Sequence, residues 1–207
     1  ERSNLFIVPL DNERRWYRYH HLFGDLLRKR LTQRLSHNEI TALHIRANQW
    51  FENNDLVLEA FHHAAEADDI ERAERLMESK QMPLHLRDTA FAILNWLESL
   101  PTSLLDRKPT FWWKQASLML VMGQTDGVEE KLQATEAAIA ATIPPGFEND
   151  DTTRNLIGKI AVARSMLALT HGDTENMFVQ ARRALEYLHP NNLTYRSSAT
   201  RTLGFAY

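Results

Sequence analysis

The chain has no cysteine among its 207 residues. Disulfides and thiolate metal sites are therefore excluded, and a reducing compartment is the natural setting. It also lacks an apolar run near the roughly 20 residues that span a bilayer, and no signal-peptide pattern opens it. The expectation is a soluble cytoplasmic protein with no membrane partner. Absent too are a Gly-rich phosphate loop, a Gly-x-Ser-x-Gly elbow and a His-Glu-x-x-His helix, so no nucleophile or zinc-hydrolase signature supports an enzyme. No catalytic residue is assigned. The chain opens at Glu1 without methionine and stops at Tyr207 inside a helical pattern; it is expected to be a piece of a longer protein.

A uniform charge of one sign is missing as well. Residues 1–46 hold nine Lys/Arg against five Asp/Glu, and the remainder holds fifteen against twenty-two. The front is basic and the body acidic, which is the opposite of the broad basic footprint that nucleic-acid or membrane binding requires. What the chain does have is apolar content: 43% of its residues are hydrophobic, enough to bury a core.

The front reads as a hairpin over 5–20, with the apolar run "LFIVPL", the polar turn "DNERR" and the aromatic "WYRYH". A helix is expected over 21–35, where Leu22, Leu26, Leu27 and Leu31 fall at helical spacing and Arg28, Lys29 and Arg30 suit the dipole near its end. Beyond it the pattern is helical throughout. Ser36 or Asn38 starts a helix whose apolar face is expected to comprise Ile40, Leu43, Ala47, Trp50 and Phe51. "DLVLEAFHHAAEA", "DDIERAERLMESK" and "RDTAFAILNWLESLP" follow on short connections that force antiparallel neighbours. "PTSLLDRKP" reads as a joint between two helical blocks.

Past Pro109 the chain repeats itself. Trp113-x-x-Ala116-Ser117-x-x-Leu120 recurs as Ala161-x-x-Arg164-Ser165-x-x-Ala168 and again as Thr200-x-x-Leu203-Gly204-x-x-Tyr207. This is the first-helix pattern of a tetratricopeptide-like unit, with small residues where two helices cross closely. Starts at 113, 161 and 200 give steps of 48 and 39, longer than the ~34 of an ideal repeat. The excess in the first step sits in "TIPPGFENDDTTRN". Ser117, Ser165 and Gly204 are the expected crossing points.

Several constellations compete for function. The pairs His20-His21 and His62-His63 cannot each chelate one ion, since adjacent helical residues diverge by about 100°. Glu59–His62 and Glu186–His189 are Glu-x-x-His halves of a di-iron motif, but that centre needs facing glutamates in one four-helix bundle. Trp96, Trp112 and Trp113 could line a ligand or partner surface; inter-helix core is the ordinary reading of such residues. The basic front could meet phosphates, with Tyr17 and Tyr19 stacking on bases; a solvated, dipole-matched helix end is the alternative.

Taken in order, "NLFIVPLDNERRWYRYHHLFGDLLRKRL", "LHIRANQWF", "EAFHHAAEADDIERAERLME" and "WLESLP…KPTF" resemble the MalT-type, LuxR-related large ATP-binding bacterial transcription regulators, a branch of the signal-transduction ATPases. The resemblance is sharp over 4–67 and 96–109 and thinner through the repeats. It implies a mostly α chain: residues 1–35 as the end of a winged helix with its β-hairpin, 36–100 as an antiparallel helical connector, and 101–207 as the start of a tetratricopeptide-like sensor superhelix. In that family the ATP/ADP-binding module and the DNA-binding helix-turn-helix are separate parts with no counterpart in this sequence. No cofactor or metal is expected in the chain itself. The implied partners are a small-molecule inducer or regulatory protein on the repeats, the neighbouring ATPase module, and further copies in an active, self-associating state. The wider class ends its winged helix in Met-His-Asp, whose histidine touches ADP. His20 in "Tyr19-His20-His21" stands at the comparable place, with His21 where aspartate would be; a histidine that packs the strand–helix junction is the alternative. A free-standing tetratricopeptide-like adaptor, with no nucleotide link, is the other functional reading.

A chain without a phosphate cradle should purify without stoichiometric ATP or ADP. It should also bind DNA only weakly, with affinity falling steeply as salt rises. Nucleotide analysis of the denatured protein and salt-dependent DNA titration check both.

Overall fold

The computed structural model describes residues 6–9, 11–13, 17–142 and 150–206. Residues 1–5, 10, 14–16, 143–149 and 207, which include parts of the expected hairpin, of the Pro-containing stretch and of the third repeat copy, lie outside the described residues. By packing, the chain divides into two units, Glu1–Pro83 and Leu84–Tyr207.

The first unit begins with strands β1 (Ile7–Pro9) and β2 (Tyr17–Tyr19). They pair antiparallel in the register Ile7 to Tyr19 and Pro9 to Tyr17. The His20 N–H donates to the Phe6 carbonyl at 2.8 Å, and the His20 carbonyl accepts from the Phe23 and Gly24 amides. One residue thus ends the hairpin and starts helix α1 (His21–Arg34). Phe23 holds the corner, with its ring 4.7 Å from Phe6 and 5.4 Å from Tyr19. Helix α1 itself buries no residue within the unit.

Helix α2 (His37–Asn53) starts at Ser36, whose side chain and Glu39 form a reciprocal capping box. Helices α3 (Val57–Glu66) and α4 (Ile70–Met77) follow. The intervening turns place Asp55 and Asp68 at φ 58 and 54, a left-handed conformation that a short polar side chain tolerates. Phe61, Ala64, Ala73, Leu76 and Met77 are buried among these helices. Of the apolar face expected of α2, Ile40, Ala47 and Phe51 are half-buried, with Phe51 stacked on His63. Leu43 and Trp50 remain 37% and 49% exposed, while the buried residue of α2 is Asn48. Its Nδ2 donates to the Ala60 carbonyl at 2.6 Å and its Oδ1 accepts from Arg72 at 2.7 Å. A polar residue wins this position because its amide satisfies groups on both neighbouring helices.

The second unit holds α5 (Arg87–Ser99), α6 (Thr102–Arg107), α7 (Pro109–Val121), α8 (Val128–Thr142), α9 (Asp151–His171), α10 (Thr174–Tyr187) and α11 (Leu193–Ala206). Helix α5, expected at the end of the connector, belongs to this unit. It packs on α7 through Trp96 against Phe111 at 5.7 Å, and Gln115 donates to the Leu97 carbonyl at 3.0 Å. The expected joint at 101–109 is itself helical, and Pro109 opens α7 at the one turn where a missing N–H costs nothing.

The three copies of the repeat pattern fall on α7, α9 and α11, each the first helix of its unit, with α8 and α10 as partners. The predicted spacing of small residues is correct at one place only. Ser165 is fully buried, its hydroxyl donating to the Val162 carbonyl at 2.8 Å. Ser117 is half-buried, and Gly204 is exposed with nothing within 4 Å of where a Cβ would stand. Arg164, in a position that wants a small residue, instead reaches α8 and forms paired hydrogen bonds with Glu129 and Glu136. Among the described glycines the tightest surroundings are at Gly158, where a Cβ would lie 2.8 Å from both the Leu188 amide nitrogen and its Cγ. Only glycine lets the end of α10 lie this close to α9.

Gly158→Ala should therefore cost about 1–3 kcal/mol through overpacking, as should Ser165→Leu. Gly204→Ala should be neutral or stabilise by up to about 1 kcal/mol as an ordinary helix substitution. Urea unfolding of the three variants checks the order.

Candidate functional site

A cavity of about 200 Å³ opens between α7, α9 and α11. Its position follows from the packing of α9 against both α7 and α11. Leu120, Val162, Ala163 and Met166 supply apolar wall, with Val121 at the exposed mouth. Trp113 and Tyr195 close the far side edge-to-face, ring centroids 5.7 Å apart. The Lys159 Nζ sits over both rings, 4.7 Å from Trp113 and 5.4 Å from Tyr195. Ser117, Thr194 and Ser198 add hydroxyls.

The polar atoms here are mainly donors. The Trp113 Nε1–H is buried and meets no acceptor among the described residues. Burial pushes the Tyr195 phenol up to about 12, so it stays protonated and able to donate. No Asp or Glu lines the cavity among the described residues.

The tryptophans singled out from sequence separate. Trp113 is a wall of the cavity. Trp96 lies in the α5–α7 core against Phe111. Trp112 faces outward, donating to Asp106 at 3.0 Å beneath the Lys131 ammonium. Lys159 and Tyr195 carried no sequence signal, since each becomes a site residue only when α9 and α11 lie side by side.

Only the His62–His63 pair diverges as adjacent helical residues should; His20 precedes α1 and lies beside His21. His20 is half-buried at the hairpin–helix corner, with its ring 4.3 Å from that of His21. His21 instead borders a shallow hollow with Arg18 and Arg28, and Arg28 is paired with Asp25. His62 is exposed, whereas His63 turns inward to stack on Phe51 and meets His44 at 2.9 Å between Nδ1 atoms. Glu59–His62 and Glu186–His189 fall in different packing units. No cluster of three metal-capable side chains occurs among the described residues, and no described helix is long and apolar enough to cross a membrane.

Residues 1–39 match the family model described as the MalT winged helix domain. Across 99% of its length the chain is 29% identical to the HTH-type transcriptional regulator MalT of Cronobacter sakazakii and 27% identical to that of Klebsiella pneumoniae. The chain is similar to MalT over almost its whole length. It spans 22% of the length of those MalT relatives. A shorter similarity, 34% over 105 residues, links 51% of the chain to 9% of the serine/threonine-protein kinase PknK of Mycobacterium tuberculosis. No solved structure matches. The MalT likeness runs through the hairpin, connector and repeats alike, so it covers the cavity as well as the winged-helix corner.

The His44–His63 contact makes a pH prediction for the MalT-type connector. Two Nδ1 atoms this close share one proton, so both cannot donate. Burial, then the neighbouring His44 and His62, hold His63 below its ordinary 6.5, while Glu66 opposes the shift. The folded state favours the neutral ring. Stability from this site is full above about 6.5 and is lost as pH falls below it toward the lowered folded value. His63→Phe, which keeps a ring against Phe51, should flatten the loss of melting temperature between about pH 7 and 5. Thermal melts across that range check it.

Proposed function

We propose that the chain is the regulatory portion of a MalT-type transcription regulator, coupling an effector on its helical repeats to a nucleotide switch elsewhere in the protein. The observation that carries this reading is the continuous likeness to MalT across 99% of the chain. The parent would bind ATP or ADP through its own module, meet DNA through a separate helix-turn-helix, and work in the cytoplasm. The chain would perform no chemistry. Its role is to bias an equilibrium: an effector shifts the balance only as far as it binds one state better than the other.

The kinase similarity supports the regulatory part of this reading. Related segments lie within a protein named a transcriptional regulator and within one named a protein kinase. A segment found beside two different output activities suits a control element better than either output. A free-standing tetratricopeptide-like adaptor remains the second reading, favoured by the open cavity alone.

Two substitutions in the complete regulator test the coupling. Ser117→Leu fills the cavity and should lower inducer-dependent transcription about 10-fold or more, within the usual range of allosteric coupling. If His20 donates to an ADP phosphate in the parent, His20→Ala should release ADP faster and raise uninduced transcription about 10- to 100-fold. Reporter transcription and ADP retention are the measurements. Wild-type induction in Ser117→Leu, with wild-type ADP retention in His20→Ala, would overturn the proposal.

A further inference from the structure

We propose that the cavity between α7, α9 and α11 binds a small uncharged molecule, an aryl or branched-alkyl alcohol or ketone, with its hydrocarbon inside and its polar group on the wall hydroxyls. The inference rests on reading the repeats as the effector-receiving part of the chain, and deepens it by naming the ligand's chemistry.

Size comes first. At about 200 Å³ the space exceeds the ~150 Å³ of an apolar cavity that takes up benzene. A phenyl ring with a short tail fits, and a nucleotide does not. The walls come next. Val162, Met166 and the rings of Trp113 and Tyr195 reward hydrocarbon burial. A ligand that is polar all round would lose its water there without replacement.

Charge decides the head group. An ion is costly in such a space unless a partner of opposite sign waits for it. Among the described residues no Asp or Glu lines the cavity, so a cationic ligand finds no counter-charge. Lys159 is already engaged. Its Nζ lies 4.7 and 5.4 Å from the Trp113 and Tyr195 ring centroids, and it makes a further interaction besides. An anionic ligand would have to displace what that ammonium already holds. Tyr195 stays a neutral phenol, since burial pushes it up to about 12. The ligand's polar group is left with neutral partners, and Ser117, Tyr195 and Ser198 supply hydroxyls able to donate or accept. One hydroxyl or carbonyl matches them.

The 207-residue chain, titrated calorimetrically with 3-phenylpropan-1-ol, 3-phenylpropanoate and 3-phenylpropylamine, separates these cases. The alcohol should bind saturably, about 10-fold or more tighter than either ion. Shortening it to 2-phenylethanol and then benzyl alcohol should weaken binding about 4-fold per methylene removed. That series reads hydrocarbon burial on the unaltered chain, whatever a variant does. Ser117→Leu, which fills the space, should abolish saturable binding, with an unchanged circular dichroism spectrum showing that the chain still folds. An ion bound as tightly as the alcohol, a flat series, no saturable binding of the alcohol, or undiminished binding in folded Ser117→Leu overturns the inference. These outcomes leave the regulatory reading standing on its transcription test. Conversely, binding as described, with wild-type induction in Ser117→Leu and wild-type ADP retention in His20→Ala, would overturn that reading and leave the site.

Discussion

The approach of Leu188 to Gly158 governs the second unit. With no side chain at 158, the end of α10 settles onto α9, and the chain must turn there. Asn155, less than one turn before Gly158, accepts from the His189 amide at 3.3 Å and from the Asn192 side chain at 2.9 Å. Arg196 reaches back to the Leu185 and Leu188 carbonyls at 3.0 and 3.1 Å. The Arg196 bonds satisfy carbonyls that the end of a helix leaves open, the Asn155 bonds hold the turn that follows, and together they direct α11 back along α9. Tyr195 then meets Trp113, and the cavity exists. A side chain at 158 would disturb the turn, the return of α11 and the site together.

The helix pairs around this crossing are held by different chemistry. Apolar packing dominates, with Trp113, Val128, Leu132, Leu156 and Ile160 forming one cluster and Ala161, Val162, Ala184, Leu188 and Ala199 another. Between α8 and α9 the partly buried Arg164 adds bidentate contacts to two glutamates that lie about two turns apart on one face of α8. Hydrogen bonding to Glu136, and then to Glu129, raises its pKa further above the ordinary value while burial opposes the rise. Exposed pairs such as Arg28–Asp25 contribute about 0–1 kcal/mol. The Arg164 cluster matters more for specificity, because a buried arginine fork fits one arrangement of partners. The first unit uses a comparable device in Asn48, bonded to the Ala60 carbonyl and to Arg72. His44, Asn48 and Phe51 form the face of α2 toward α3, and a slip of one residue would strand Asn48 without its two partners.

In the regulatory reading proposed above, the first unit, with Asn48 bonded beside an apolar core, and the second, held mainly by apolar stacking, suit a coupling element. Polar seams have few alternative satisfied arrangements, so they transmit displacement or break. Stacked repeats can gain or lose contacts at an internal cavity while each helix pair remains intact. An effector filling the space beside Trp113 would stiffen the contact between the first helices of successive repeats. Its free energy would then reach the parent protein as a preference for one arrangement of the repeats.

Much of this was legible in the residues themselves. Helical spacing, the Ser36–Glu39 capping box and the starts of the repeats at 113, 161 and 200 depend on local periodicity, which a one-dimensional pattern records. The order of the separated blocks was enough to bring out the likeness to MalT-type regulators, and His20 emerged at the corner where a strand runs into a helix. The tertiary structure alone decided which small residue permits the close crossing: Gly158 does so, while Gly204, in the expected register, faces open space. It also moved α5 into the second unit, buried Asn48 in place of Leu43 or Trp50, and made a site of Trp113, Lys159 and Tyr195. The reason is the same in each case. A helix has several faces able to bury, and its sequence lists the candidates; the neighbour that arrives, and the satisfied polar groups it brings, selects among them.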